Sequence, residues 1–185
     1  ETFQAWYSGF RPAENRAQKA LFWPRTLHAR FASQGRVKFL MNAEHETPEW
    51  LKFVDHTADA GIAVEAPDLV RLFERAAWGM FSVITDVAAA RSTETSRISI
   101  DAPDRAALLV RWLSELNYRH VTEHRIFSKF EVVTLSEQHL EADVSGEIFD
   151  PARHTIFTEI KAVTFHDLQL ERDERGWKAQ IIFDL

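Results

Sequence analysis

Five consecutive positions, Asp55-His56-Thr57-Ala58-Asp59, hold two carboxylates and an imidazole. In an extended chain Asp55, Thr57 and Asp59 point to one side and His56 to the other. Two aspartates four apart in a loop can ligate a hard cation such as Ca²⁺ or Mg²⁺. The same residues also make an ordinary polar turn, the aspartates bonding to nearby backbone N–H groups. Near Leu185, alternation puts Trp177, Ala179, Ile181, Phe183 and Leu185 on one face of a strand. Lys178, Gln180, Ile182 and Asp184 take the other face. Asp184 and the α-carboxylate of Leu185 then place two anionic oxygen donors within one residue of each other. That pair suits a hard divalent ion if a third carboxylate approaches; the alternative is a frayed, solvated end. Lys161 interrupts the run Glu159–His166, on the same side as Glu159, Val163 and Phe165. A cation there is either an edge-strand charge that deters aggregation or a site residue. His120 and His124 stand one helical turn apart, but zinc needs further ligands and no HExxH pattern occurs. They read as helix-end polar residues that interact favourably with the dipole.

The elements that must carry these residues are legible as periods. Trp50–Val54 and Ile62–Ala66 read as short strands around a polar turn, Asp55–Gly61. Leu69, Leu72, Phe73, Ala76, Ala77, Met80, Phe81 and Ile84 then step by three and four, one apolar stripe of a helix opened by Pro67-Asp68. Arg97–Asp101 alternates as a strand, and Pro103-Asp104 opens a second helix with Leu108, Leu109, Trp112, Leu113 and Leu116 on one face. Phe127–Leu135, Leu140–Phe149, Glu159–Phe165, Asp167–Arg172 and Trp177–Phe183 read as further strands. The expectation is an α+β fold, two helices packed on one face of a mostly antiparallel, mixed sheet.

Composition removes whole classes of function. The 185 residues contain no Cys, which excludes disulfides, thiol nucleophiles and cysteine-ligated zinc or iron–sulfur sites. There is no Walker A loop, no Gly-rich dinucleotide fingerprint and no Gly-x-Ser-x-Gly elbow. No run of about 18 apolar residues occurs, so no segment reads as a membrane-spanning helix. A cytoplasmic setting is the expectation. The net charge of −6 conceals a division. Residues 1–40 carry seven Lys/Arg against two acids, whereas residues 41–185 carry 15 against 26. An acidic body repels phosphate backbones and favours metal ions or basic partners. Residues 1–48 form an N-terminal extension outside the regular pattern, and residues 49–185 the domain. Met41, where the acidic part begins, reads as a natural start with vector-derived or upstream sequence before it. A basic tail for nucleic acid, with Trp6 and Trp23 interleaved among Arg and Lys, and a targeting peptide are the other readings.

Several stretches together resemble one family. Phe53-Val54-Asp55-His56-Thr57-Ala58-Asp59-Ala60-Gly61 before an amphipathic helix resembles the signature of the archease family. Gly146-Glu147-Ile148-Phe149-Asp150-Pro151-Ala152-Arg153-His154, then Ile160–His166 and the ending Ile181-Ile182-Phe183-Asp184-Leu185, resemble it in the same order. Phe165 stands where tyrosine is expected and Leu185 where isoleucine is expected; neither change removes a functional group. The resemblance implies an accessory protein of an RtcB-type RNA ligase in tRNA splicing, which promotes ligase guanylylation and multiple turnover without being an enzyme itself. It implies a metal site at Asp59, Asp184 and the carboxylate of Leu185, with Ca²⁺ as occupant. It also implies that ligase activation falls to Asp59, Lys161 and Asp184, and that Asp55, His56 and His166 match motif positions. RNA would be met only through the ligase, and no membrane is involved. Two other functions compete with this one: a metal-dependent hydrolase using Asp59, Asp184 and His56, and an RNA-binding module using the basic N-terminus.

Overall fold

The computed structural model describes residues 47–55 and 59–185, with only the backbone at Asp55. The expectations placed on residues 1–40 and on His56 fall outside the described residues. In chain order the elements are β1 (Leu51–Asp55), β2 (Asp59–Ala66), α1 (Leu69–Ile84), β3 (Glu94–Asp101), α2 (Arg105–Glu123), β4 (Arg125–Leu135), β5 (His139–Ile148), β6 (Ala162–Val163), β7 (Gln169–Asp173) and β8 (Gly176–Asp184), with a 3-10 turn at Val87–Ala89.

Both helices start where a short acid can hold their free N–H groups. Asp68 Oδ1 accepts from the Arg71 N–H at 2.8 Å, and Asp104 Oδ1 accepts from the Ala107 N–H at 2.8 Å. The α1 stripe is buried as its period requires, from Leu72 to Ile84. α1 packs on both β2 and β4, and α2 packs on α1, β3, β4 and β6. Among the described residues one apolar cluster therefore includes both helices and both sheets. Trp112 is wholly buried in it, and its indole N–H donates to Phe73 O at 3.1 Å, tying α2 to α1. Phe73, Phe81, Phe127 and Phe183 are buried as completely, each contributing about 1.5–3 kcal/mol of transfer free energy.

The α+β expectation holds, but the strands form two sheets instead of one. The larger runs β1-β2-β8, with β6 and β7 both pairing β8; the smaller runs β3-β5-β4. Every strand pairing is antiparallel. β8 is thus covered along both edges, by β2 on one side and by β7 and β6 in succession on the other.

Two local expectations are corrected. The strand read over Glu159–Phe165 shrinks to Ala162–Val163. Its approach, a strap over residues 155–161, bonds mainly to the helices. Thr85 Oγ1–H donates to Thr155 O at 2.8 Å, the Phe157 N–H to Ile84 O at 2.7 Å, and Asn117 Nδ2–H to Ile160 O at 2.8 Å. His120 is not an exposed charge at a helix end. It is buried edge-on against Phe81, its Nδ1 is 2.7 Å from Arg125 O, and burial pushes its pKa down. The cationic form that would interact with the dipole is the form that burial disfavours.

Candidate metal and docking site

The register of β2 on β8 places Asp59 directly opposite Asp184. Residues opposite one another in an antiparallel pair share a face, with Cβ atoms about 4.5–5.5 Å apart. Two carboxylates from distant parts of the chain thus become neighbours at one end of the larger sheet. Asp59 is half-buried and Asp184 exposed. Asp59 belongs to the strand itself, not to the turn before it.

A glycine permits the close approach of the strands beside this pair. Gly61 lies opposite Ile182, and a Cβ at Gly61 would stand 2.7 Å from Ile182 Cδ1 and 3.0 Å from Ile181 O. With hydrogen there, Ile182 lies across β2 on the face that carries the two aspartates, two residues further along the strands.

On the other edge of β8, Asp184 faces Ala162 of β6. The Lys161 N–H donates to Asp184 O at 2.8 Å. The Lys161 ammonium donates to the main-chain oxygen of Leu185. Lys161 is therefore fixed at both ends against the last two residues of the chain, although its side chain is exposed. Leu185 itself packs on the apolar core.

The other residues singled out from the sequence are placed differently. The register sets Asp55 opposite Ala60, one residue out of step with Asp59. His166 is 73% exposed in the turn after β6, and its Nε2 is 3.3 Å from Asp167 Oδ2, a residue with φ of 49°. Asp59, Asp184, Lys161 and Leu185 are brought together; His166 pairs elsewhere. Among the described residues no group of three His, Cys, Asp or Glu side chains is placed to hold a metal ion. The available donors are the two side-chain carboxylates, beside the main-chain oxygen of Leu185. All are hard oxygens, and the like charges of Asp59 and Asp184 stand side by side. That donor set fits a hard cation such as Ca²⁺ and suits zinc poorly.

One cluster was not read from the sequence as a site. Glu147, 8% exposed, accepts from the Arg91 N–H at 2.7 Å, from Arg153 Nη2 at 2.5 Å and Nη1 at 3.3 Å, and from His154 Nε2 at 3.0 Å. The Asp150 N–H donates to His154 Nδ1 at 3.0 Å. Because that ring nitrogen must accept, the network assigns the proton to Nε2. The Arg153 guanidinium, aided by the Arg91 N–H and His154, lowers the Glu147 carboxyl to about pKa 2. The cluster closes the turn that leads from β5 into the strap. Its sequence signal is the Gly146–His154 stretch. Gly146 is required there because a Cβ would come within 2.0 Å of Ile126 O.

Fold and site define a class: an α+β protein that presents a carboxylate pair and a tethered lysine at one end of an antiparallel sheet. The model of the archease protein family matches residues 51–185, and the chain belongs to that family. It is 38% identical over 138 residues to Protein archease of Methanosarcina acetivorans, covering 72% of this chain and 94% of that one. Protein archease of Methanopyrus kandleri is 37% identical over 135 residues, covering 71% and 96%. The solution structure of Methanobacterium thermoautotrophicum protein 1598 superposes with a TM-score of 0.66 at 38% identity, over 75% of this chain and all of that one.

Proposed function

We propose that this protein is an accessory activator of an RtcB-type RNA ligase in tRNA splicing or RNA repair, acting in the cytoplasm and not as an enzyme itself. The observation that carries the reading is the cross-strand pairing of Asp59 with Asp184, with Lys161 tied to the residues beside them. Asp59, Asp184 and the Leu185 carboxyl would hold Ca²⁺, which when bound supplies neutralisation of the adjacent like charges. Asp55, His56 and His166 belong to the same motifs and are counted with the activating set.

Each residue then has a task. The two aspartates present a compact acidic end that enters the ligase active site. Lys161 holds the final residues in place and contributes one positive charge at the rim. The excess of acids over residues 41–185 suits docking on a basic, RNA-binding surface, where complementary potentials raise the association rate. RNA is reached only through the ligase.

The test is multiple-turnover ligation by the cognate ligase, with and without this protein. Asp184→Ala, or a tag fused after Leu185, abolishes stimulation while the fold survives. If either variant stimulates as well as the unaltered protein, the carboxylate site is wrong.

A further inference from the structure

Asn117 is the polar member of a buried helical face, spaced four residues from Leu113 and following Leu116 on α2. It is 7% exposed. Its Nδ2–H donates to Ile160 O at 2.8 Å, whereas its Oδ1 is buried without a hydrogen-bond partner. An orphan acceptor in a core costs stability; an apolar side chain of the same size would remove it and strand Ile160 O of the strap instead, so nothing within α2 itself calls for the amide. Stability of α2 is thus a poor reason for asparagine at this position. The bond it makes offers a better one. Ile160 immediately precedes Lys161, and the strap there has not yet joined the sheet.

We propose that Asn117 is the positioning residue for Lys161. Its amide fixes the peptide before Lys161, so that the Lys161 N–H meets Asp184 O and the ammonium meets Leu185. The strap has two kinds of attachment. Thr85 and Ile84 hold its beginning at Thr155 and Phe157, and Asn117 holds its end at Ile160. Only the second sets where Lys161 stands. This inference rests on the reading of Lys161 as part of the activating site.

The experiment uses the full chain with ¹⁵N- and ¹³C-labelled lysine. In Asn117→Leu the thermal midpoint stays within about 3 °C of the unaltered protein. The Lys161 Nζ and Cε resonances move to those of an exposed lysine such as Lys52, and ligase stimulation falls at least tenfold. Asn117→Asp keeps the shape but withdraws the donor, and gives the same Lys161 shift. Thr85→Val removes one of the two bonds at the start of the strap and leaves the Lys161 resonances in place. Unmoved Lys161 resonances in the folded Asn117 variants overturn the proposal. So does an equal shift in Thr85→Val, or failure of both Asn117 variants to fold, since Asn117 would then be structural only. Should the unaltered protein fail to stimulate the ligase, the proposed function falls, while the lysine resonances still decide the role of Asn117.

Discussion

Replacing Glu147 with glutamine preserves its size and removes half its accepting capacity. Every group around its two oxygens is a donor. Oε1 faces the Arg91 N–H at 2.7 Å, His154 Nε2 at 3.0 Å and Arg153 Nη1 at 3.3 Å, and Oε2 faces Arg153 Nη2 at 2.5 Å. A glutamine oxygen can keep the first set, but its amide N–H₂ must then point at the guanidinium. Losing a hydrogen bond between charged groups costs about 1.5–3 kcal/mol. The Arg153 side chain is 34% exposed and water compensates part of the loss, so the lower half of that range applies. Glu147→Ala additionally strands the His154 Nε2–H, whose side chain is 1% exposed, and is expected to cost about 3–5 kcal/mol. Urea unfolding at pH 7 measures both differences. Acid gives a second reading with a definite sign. The carboxyl titrates at about pKa 2 in the folded protein against 4.5 ordinarily. Its contribution is therefore complete above about pH 4.5 and is lost as pH falls towards 2. Asp143, held low by Arg97, and Asp173, held low by Lys178, titrate in both proteins. The unaltered protein should thus lose more stability between pH 6 and pH 3 than Glu147→Gln does. Equal stabilities at pH 7, or equal pH slopes, would refute the reasoning.

Three further outcomes are expected. Asp184→Asn removes one of two facing like charges, so without divalent cation it should unfold about 0.2–1 kcal/mol later than the unaltered protein in urea, and added Ca²⁺ should no longer raise its melting temperature. Gly146→Ala forces a methyl against Ile126 O and should cost about 3 kcal/mol or more, seen as loss of the cooperative urea transition at working temperatures. In an NMR titration His120, pushed down by burial, should titrate below 6.5, and His139, pushed up by its bond to Asp101, above it; a shared midpoint would contradict the described packing.

The parts of the fold legible in the sequence are those whose signal is local. The α1 stripe from Leu69 to Ile84 coincides with the helix because its period and its Asp68 cap are encoded within one segment. β8 likewise shows its two faces by alternation alone. The expectation failed over Glu159–Phe165 because alternation reports the direction of side chains, not the partner of each peptide. There the Ile160 peptide bonds to Asn117 on a helix far away in sequence and only Lys161 to Thr164 meet β8, while the chain just before, at Thr155 and Phe157, bonds to Thr85 and Ile84. Asp59 and Asp184 were each legible as candidate donors, and their adjacency is a matter of strand register, which neither segment contains. Glu147 escaped notice as a centre because its partners come from two separate turns.

The position of β8 sets the order in which this molecule can become functional. It is the last strand in chain order, yet it lies in the middle of the larger sheet, between β2 and the pair formed by β6 and β7. Until it inserts, β2 exposes a bare edge, and Asp59 has no carboxylate opposite it. On the ribosome, then, the smaller sheet, whose three strands all precede β6, can assemble while the larger one waits. A chain in which β8 has not yet inserted has a partly formed core and no Asp59–Asp184 pair, so the pair forms in a single step and not by degrees.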